Sequence, residues 1–232
     1  MIVKTIMTTK FIFMLTHHDV TVPNALDLFQ KVSRTGLKCA GCKDIGLEIS
    51  KLRQLFSNMK SAGMKSFLEV VTMKEEEHFR GVDVALDIGA GFLIGGMPQY
   101  TEKTIQYLKS KKNPPKFFPY IGKIVGHPCL LRGTLEEIVE DAKRTQKLGA
   151  DGINLLAYRY DGDVQKLIQK VTETIEIPLI VAGNVDSLER IRELKELGVW
   201  AFTIGGAIME KKFLPSADES EQIRAVLREI AH

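Results

Sequence analysis

Apolar and polar positions along this chain follow two periods that take turns. Short apolar runs of strand length occupy residues 11–16, 37–42, 66–71, 92–95, 116–121, 152–157, 179–182 and 201–204. Between them apolar positions recur at the spacing of an amphipathic helix, over 22–33, 47–62, 74–89, 102–111, 134–148, 164–174, 187–197 and 218–230. Leu135, Ile138, Val139, Ala142 and Leu148 carry this spacing most plainly, and Thr134 with Glu137 forms a capping box ahead of them. Asp186 with Glu189 reads as a second capping box. Gly36, Gly63, Gly149 and Gly198 fall where helices end, just before the next strand, as helix-terminating glycines do. Strict alternation of strand and helix implies a parallel sheet with helices outside it. Eight units imply closure into one (β/α)8 barrel domain over residues 1–232. An open doubly wound sheet is the other arrangement, but it does not require the last two strands to be neighbours.

Those last two strands carry the most chemistry. Pro178-Leu179-Ile180-Val181-Ala182-Gly183-Asn184-Val185 and Ala201-Phe202-Thr203-Ile204-Gly205-Gly206-Ala207-Ile208 are apolar runs that each break at glycine. A strand ending at glycine lets a ligand approach the backbone closely, and a helix N-terminus beside it adds partial positive charge. Two such ends side by side make a phosphate cup after strands seven and eight, built on Gly183, Asn184, Gly205 and Gly206. These two motifs resemble those of the ribulose-phosphate-binding TIM barrels. That superfamily includes hexulose-phosphate synthase, ketogulonate-phosphate decarboxylase, aldolases of phosphorylated keto acids and N-acetylmannosamine-6-phosphate epimerase. The close likeness runs from Pro178 to Met209; elsewhere only the unit spacing agrees. It implies phosphate binding and leaves the chemistry open. The Asp-x-Lys pattern of the synthase and decarboxylase branch is missing from strand three, Phe67-Leu68-Glu69-Val70, and strand six ends Ala157-Tyr158-Arg159, without a Schiff-base lysine. A fainter likeness, to glycerol-phosphate-responsive antiterminators, implies a sensor that binds a phosphorylated metabolite without turnover.

Composition narrows the setting. The net charge is +3 over 232 residues, with no dense basic run, so nucleic acid is not an expected partner. No segment approaches the ~20 apolar residues of a membrane span, and no export signal is evident, so a cytoplasmic location is expected. Three cysteines make no disulfide framework. The Cys39-Ala40-Gly41-Cys42 run sits on a strand, where residues three apart face opposite sides. No cofactor and no metal ligand set is assigned, although a divalent metal stays open, as does a homo-oligomer.

Polar groups at strand ends are the candidates for chemistry, because barrel enzymes draw catalytic residues from there. His17, His18 and Asp19 follow strand one, and adjacent strand residues point opposite ways, so one histidine, His17, is expected to serve the site. Lys43 and Asp44 follow strand two, with Gly41 leaving room for a ligand beside Lys43. Glu69 interrupts an apolar run, and burial against the helix layer would be costly, so it should point inward. Tyr120 and Lys123 lie near strand five, Asn154, Tyr158, Arg159 and Asp161 on or after strand six, and His127 in the long loop 122–133, whose length suggests a lid. Each has a plainer reading: Glu69 paired to a barrel lysine, Lys43 in a rim ion pair with Asp44, Asn154 as a barrel-layer amide, Arg159 as a rim charge. The function expected is an enzyme acting on a small phosphorylated sugar or keto acid by enolate or enediolate chemistry, as an aldolase-type lyase, isomerase or epimerase. Lys43, Glu69, Asp44 and His17 are its catalytic candidates, and Gly183, Asn184, Gly205, Gly206, Asn154 and Arg159 its binding candidates.

Overall fold

A computed structural model describes residues 9–126 and 128–231 of the chain; His127 lies outside the described residues. The apolar runs become eight parallel strands: β1 (Lys10–Met14), β2 (Cys39–Lys43), β3 (Lys65–Val70), β4 (Phe92–Gly95), β5 (Lys116–Phe118), β6 (Ile153–Leu155), β7 (Leu179–Val181) and β8 (Ala201–Ile204). Their spatial order is β6-β7-β8-β1-β2-β3-β4-β5. β8 meets β1 through the register Phe11↔Phe202 and Phe13↔Ile204. The ring closes between β5 and β6 at a parallel bridge from Tyr120 to Asn154. The Asn154 N–H donates to the Pro119 carbonyl at 2.9 Å across that seam. The molecule is thus a closed α/β barrel.

Helices α1 (Ala25–Val32), α2 (Ile49–Ser61), α3 (Glu75–Asp87), α4 (Thr101–Lys109), α5 (Leu135–Leu148), α6 (Val164–Thr174), α7 (Leu188–Glu196) and α8 (Glu219–Ala231) follow the strands in turn, and a one-turn helix, Gly206–Met209, precedes α8. The Thr134–Glu137 capping box is reciprocal, with N–H to side-chain distances of 3.2 and 2.7 Å. The second cap differs from the sequence reading. Ser187, extended at φ −142°, caps α7 by accepting from the Arg190 N–H, while Asp186 pairs with the Arg190 guanidinium at 2.6 Å. Gly36, Gly63, Gly149 and Gly198 all have φ between +66° and +95°.

Strand alternation sorts the side chains into two apolar bodies. The larger lies between sheet and helices. The smaller fills the barrel with Ile12, Met14, Phe67, Phe92, Phe118 and Ile180 among others. Cys39 belongs to the inner body and Cys42 to the outer, as strand geometry requires. At the amino-terminal end of the strands Trp200 stacks on Phe118 at 5.5 Å between ring centroids, with the Lys10 ammonium over its ring.

Gly41 does not leave room for a ligand. A Cβ there would lie 2.5 Å from the Phe67 carbonyl oxygen and 2.9 Å from the Met14 sulfur, so β2 needs glycine to lie against its neighbours. Gly41→Ala is expected to destabilise the fold by about 1–3 kcal/mol, because backbone must move to admit the methyl group. The shift in urea midpoint measures it.

Candidate active site at the barrel mouth

The carboxyl ends of the strands open on a cavity of about 460 Å³. Strand parity delivers its inner polar groups. Lys43 on β2 and Glu69 on β3 are register partners whose side chains both turn into the barrel, each less than a tenth exposed. The Lys43 ammonium stands 3.8 Å from Glu69 Oε2. Glu69 Oε1 accepts from the Tyr120 hydroxyl at 2.7 Å and from Asn154 Nδ2 at 3.4 Å. One carboxylate oxygen is therefore held by two donors, and the other faces the ammonium. Burial, reinforced by the Glu69 charge, pushes the Tyr120 phenol well above its usual range, so Tyr120 acts as a donor here and keeps its proton. Asn154 is fully buried and its Oδ1 has no hydrogen-bond partner.

Above this layer sits a hairpin that the sequence reading did not anticipate. Thr16–His17 pairs antiparallel with Val20–Thr21, and the two tip residues, His18 and Asp19, have φ of +49° and +62°. That is the backbone of a two-residue loop whose central positions are both left-handed. The turn brings both histidine rings to the cavity side by side, 3.8 Å apart, instead of sending them to opposite faces. His17 Nε2 lies 3.3 Å from Glu210 Oε1. Asp19 reaches into the mouth. Its carboxylate accepts from Lys43 Nζ at 2.6 Å and from both terminal nitrogens of Arg159 at 3.0 Å. Burial acts to raise the Asp19 pKa, but the Arg159 and Lys43 bonds outweigh it and hold the group at about 2.

Arg159 stands on a turn of 3-10 helix, Ala157–Arg159, after β6. Its stem lies over Gly183, where a Cβ would come within 2.8 Å of Arg159 Cγ, and its Nη1 also donates to the Cys129 carbonyl at 3.3 Å. Cys129 belongs to loop 122–133, which is a small hairpin of Lys123–Val125 and Leu130–Arg132 whose inner end lines the cavity.

The glycine-ended strands β7 and β8 line the other side of the same cavity. Gly183 and Asn184 have φ of +80° and +50°, and the Asn184 carbonyl accepts from Arg190. Gly205 and Gly206 differ in what they permit. A Cβ on Gly205 would strike Thr16, 2.4 Å from its Oγ1 and 2.8 Å from its carbonyl oxygen, so Gly205 is required by the chain crossing beside it. A Cβ on Gly206 would meet only His17 and Glu210, at 3.5 and 3.6 Å, on the cavity wall. Glu210 also lies 3.7 Å from Lys212 Nζ. Among the described residues no group of three or more His, Cys, Asp or Glu is placed to hold a metal ion, and no helix is long and apolar enough to cross a membrane.

No protein-family model matches the chain. Over 99 residues it is 28% identical to a protein named N-acetylmannosamine-6-phosphate 2-epimerase from Enterobacter sp. (strain 638), covering 38% of this chain and 42% of that one. Over 94 residues it is 28% identical to a phosphoribosyl imidazole-4-carboxamide isomerase of Clostridium beijerinckii, covering 39% of each. The chain spans about two-fifths of the length of these curated relatives. The fold matches the N-acetylmannosamine-6-phosphate 2-epimerase of Clostridium perfringens with a TM-score of 0.64 and 13% identity, over 95% of this chain and 93% of that one. The chain is thus similar over part of its length to a sugar-phosphate epimerase and a phosphoribosyl isomerase, and its fold is that of a TIM barrel.

Within that barrel, the sequence candidates divide. Lys43, Glu69, Arg159, His17, Gly183, Asn184, Gly205 and Gly206 all line the mouth cavity, with Asn154 directly beneath Glu69. Asp161 is drawn off by Arg132 at 3.6 Å, and Tyr158 lies under the Arg190 guanidinium. Asp19 and Tyr120, both among the strand-end polar groups read from the sequence, complete the site together with Glu210 and Lys212, which were not. The place of Asp19 had a further legible signal, a two-residue loop flanked by Thr16-His17 and Val20-Thr21.

Asp44 is turned away from this cavity. Extended backbone sends it to the face opposite Lys43, where a Cβ on Gly81 of α3 would lie 2.8 Å from its Oδ2. Lys43 accordingly pairs with Asp19 and Glu69, not with Asp44. Burial pushes the Asp44 pKa up to about 7, against the lowering effect of backbone N–H groups, and Oδ1 has no partner. A carboxyl raised in the folded state makes the fold bind extra protons, so its contribution to stability falls as pH rises from about 4 to about 7. Asp44→Asn should therefore gain stability over the parent across that window, by on the order of 1–3 kcal/mol at the alkaline end. Urea unfolding at a series of pH values reads this, and a gain independent of pH would exclude it.

Proposed function

We propose that this barrel is an enzyme acting on a small phosphorylated carbonyl compound by abstracting a proton to form an enolate or enediolate. The carrying observation is the Lys43–Glu69 pair. Two opposite charges stand 3.8 Å apart at the cavity floor, and the carboxylate is oriented by the Tyr120 hydroxyl. The similarity to an epimerase of a sugar phosphate and to an isomerase of a phosphoribosyl compound supports the same class.

The ligand phosphate would lie against Asn184 and Gly206, next to Gly183 under the Arg159 stem, where the open side of Gly206 lets backbone approach it closely. His17 and Lys212 border this place and now hold Glu210, a half-exposed carboxylate that can turn outward. The carbonyl end then reaches the Lys43–Glu69 layer. A C–H bond next to the carbonyl breaks, its proton goes to Glu69 Oε2, and the electron pair moves onto the carbonyl oxygen. The Lys43 ammonium stabilises the developing negative charge. Tyr120 and Asn154 keep Oε1 occupied, which leaves Oε2 as the oxygen free to take the proton. Where the next proton returns, or which carbon–carbon bond breaks, decides between epimerase, isomerase and aldolase-type lyase. Several acid–base groups converging inside the mouth favour turnover over ligand sensing alone.

Two outcomes test this reading. Lys43→Met and Glu69→Gln should each lower turnover of a responsive phosphorylated substrate by about 10²–10⁴-fold, and Glu69→Gln should do so with much less change in its affinity. Full activity in both variants would remove the mechanism. Gly206→Val should weaken binding of phosphorylated ligands while leaving the thermal midpoint of the free protein near that of the parent, since the new side chain enters open cavity and not packed chain. Unchanged affinity in calorimetry would displace the cup.

A further inference from the structure

The Asp19 carboxylate makes three charge-assisted hydrogen bonds, two from the Arg159 fork at 3.0 Å and one from the Lys43 ammonium at 2.6 Å. A bidentate guanidinium plus a lysine is the arrangement by which a protein receives the carboxylate of a small molecule. Here it is filled by the protein's own side chain, inside the cavity. We propose that Lys43 and Arg159 form a second anion subsite, that Asp19 occupies it only while the cavity is empty, and that the ligand is a phosphorylated acid whose carboxylate takes the place of Asp19. This rests on the phosphate-binding reading above and narrows it.

The hairpin is built for such an exchange. Its base is fixed, because the Thr21 hydroxyl both donates to the Lys43 carbonyl and accepts from the Lys43 N–H, at 2.8 and 2.9 Å. The Thr21 N–H is bound in turn to the Ile45 carbonyl at 3.0 Å. Its tip is two non-glycine residues in left-handed conformation, a geometry with a local cost that its contacts must offset. When Asp19 leaves the clamp, the tip can relax while the base stays. Charge balance points the same way. Lys43, Arg159, Asp19 and Glu69 sum to zero in the free cavity, and an incoming carboxylate restores that sum once Asp19 has gone. A neutral ligand would leave one positive charge uncompensated or have to bind beside an unbroken clamp. The position suits one small molecule. The Arg159 stem rests on Gly183, so this subsite adjoins the proposed phosphate cup, and Lys43 belongs to both the clamp and the reacting layer. The ligand carboxylate would thus sit next to the carbon from which Glu69 takes its proton.

Two three-carbon probes separate the outcomes, 3-phosphoglycerate and glycerol 3-phosphate, which differ in carrying a carboxylate or a hydroxymethyl group. Calorimetry is run on the parent and on Asp19→Asn, which removes the charge and keeps a residue tolerant of left-handed backbone. The expected result is that Asp19→Asn tightens 3-phosphoglycerate by about tenfold or more and glycerol 3-phosphate by less than about threefold. Equal changes for the two probes, or none, would overturn the subsite while leaving phosphate binding intact. If neither probe binds parent or variant, the phosphate reading itself falls, and this inference with it. Arg159→Gln gives an independent check that does not depend on the hairpin. It should weaken 3-phosphoglycerate by about tenfold more than it weakens glycerol 3-phosphate, and an equal loss for both contradicts the proposal.

Discussion

The seam between β5 and β6 ties the architecture to the chemistry. Tyr120 and Asn154 form the bridge that closes the barrel there, and the same two side chains hold Glu69 Oε1. A parallel sheet that failed to close would leave both groups without a partner inside apolar surroundings, at a cost of a few kcal/mol. Closure is therefore favoured by the carboxylate it surrounds, and the carboxylate is oriented only when closure is complete. Glu69 in turn faces Lys43, and Lys43 holds the hairpin that covers the mouth. Backbone topology, acid–base geometry and cavity entrance thus form one connected hydrogen-bonded chain.

The charged groups that line the cavity nearly balance one another. Asp19 lies between Lys43 and Arg159, and Glu210 between His17 and Lys212. Unpaired cations gathered in a pocket would repel one another and be expensive to desolvate. Each carboxylate removes that penalty in the free protein and comes from a segment outside the strands, the tip of a hairpin in one case and the chain after a one-turn helix in the other. On the proposed reading an anionic ligand would compete with both, so its affinity would be lowered by the strength of the internal pairs and selectivity gained against ions too weak to displace them.

Fold was legible in the sequence because its signals are local. Periodicity, capping residues and helix-ending glycines each depend on a few neighbouring positions, and the strand parity that turns Glu69 and Lys43 inward follows from a period of two. What escaped depends on contacts across the chain. Gly41 and Gly205 read as space for a ligand, yet each is filled by neighbouring chain, the Phe67 carbonyl and Thr16 respectively. Asp44 looked like a partner for Lys43 by adjacency, and alternation sent it to the opposite face. The two histidines were treated as strand residues, while a left-handed turn aligned them. Asp19 joins Arg159 across 140 positions, a distance no spacing rule can bridge.

Trp200 lies at the far end of the barrel from all of this, against Phe118 and Phe92, and it is the sole tryptophan of the chain. Intrinsic fluorescence excited at the indole therefore reports on the aromatic plug beneath the strands. It will follow unfolding of the barrel floor faithfully and respond little to events at the mouth. A spectroscopic reporter of ligand arrival has to be placed on the opposite rim, on the hairpin tip or the loop that carries Cys129.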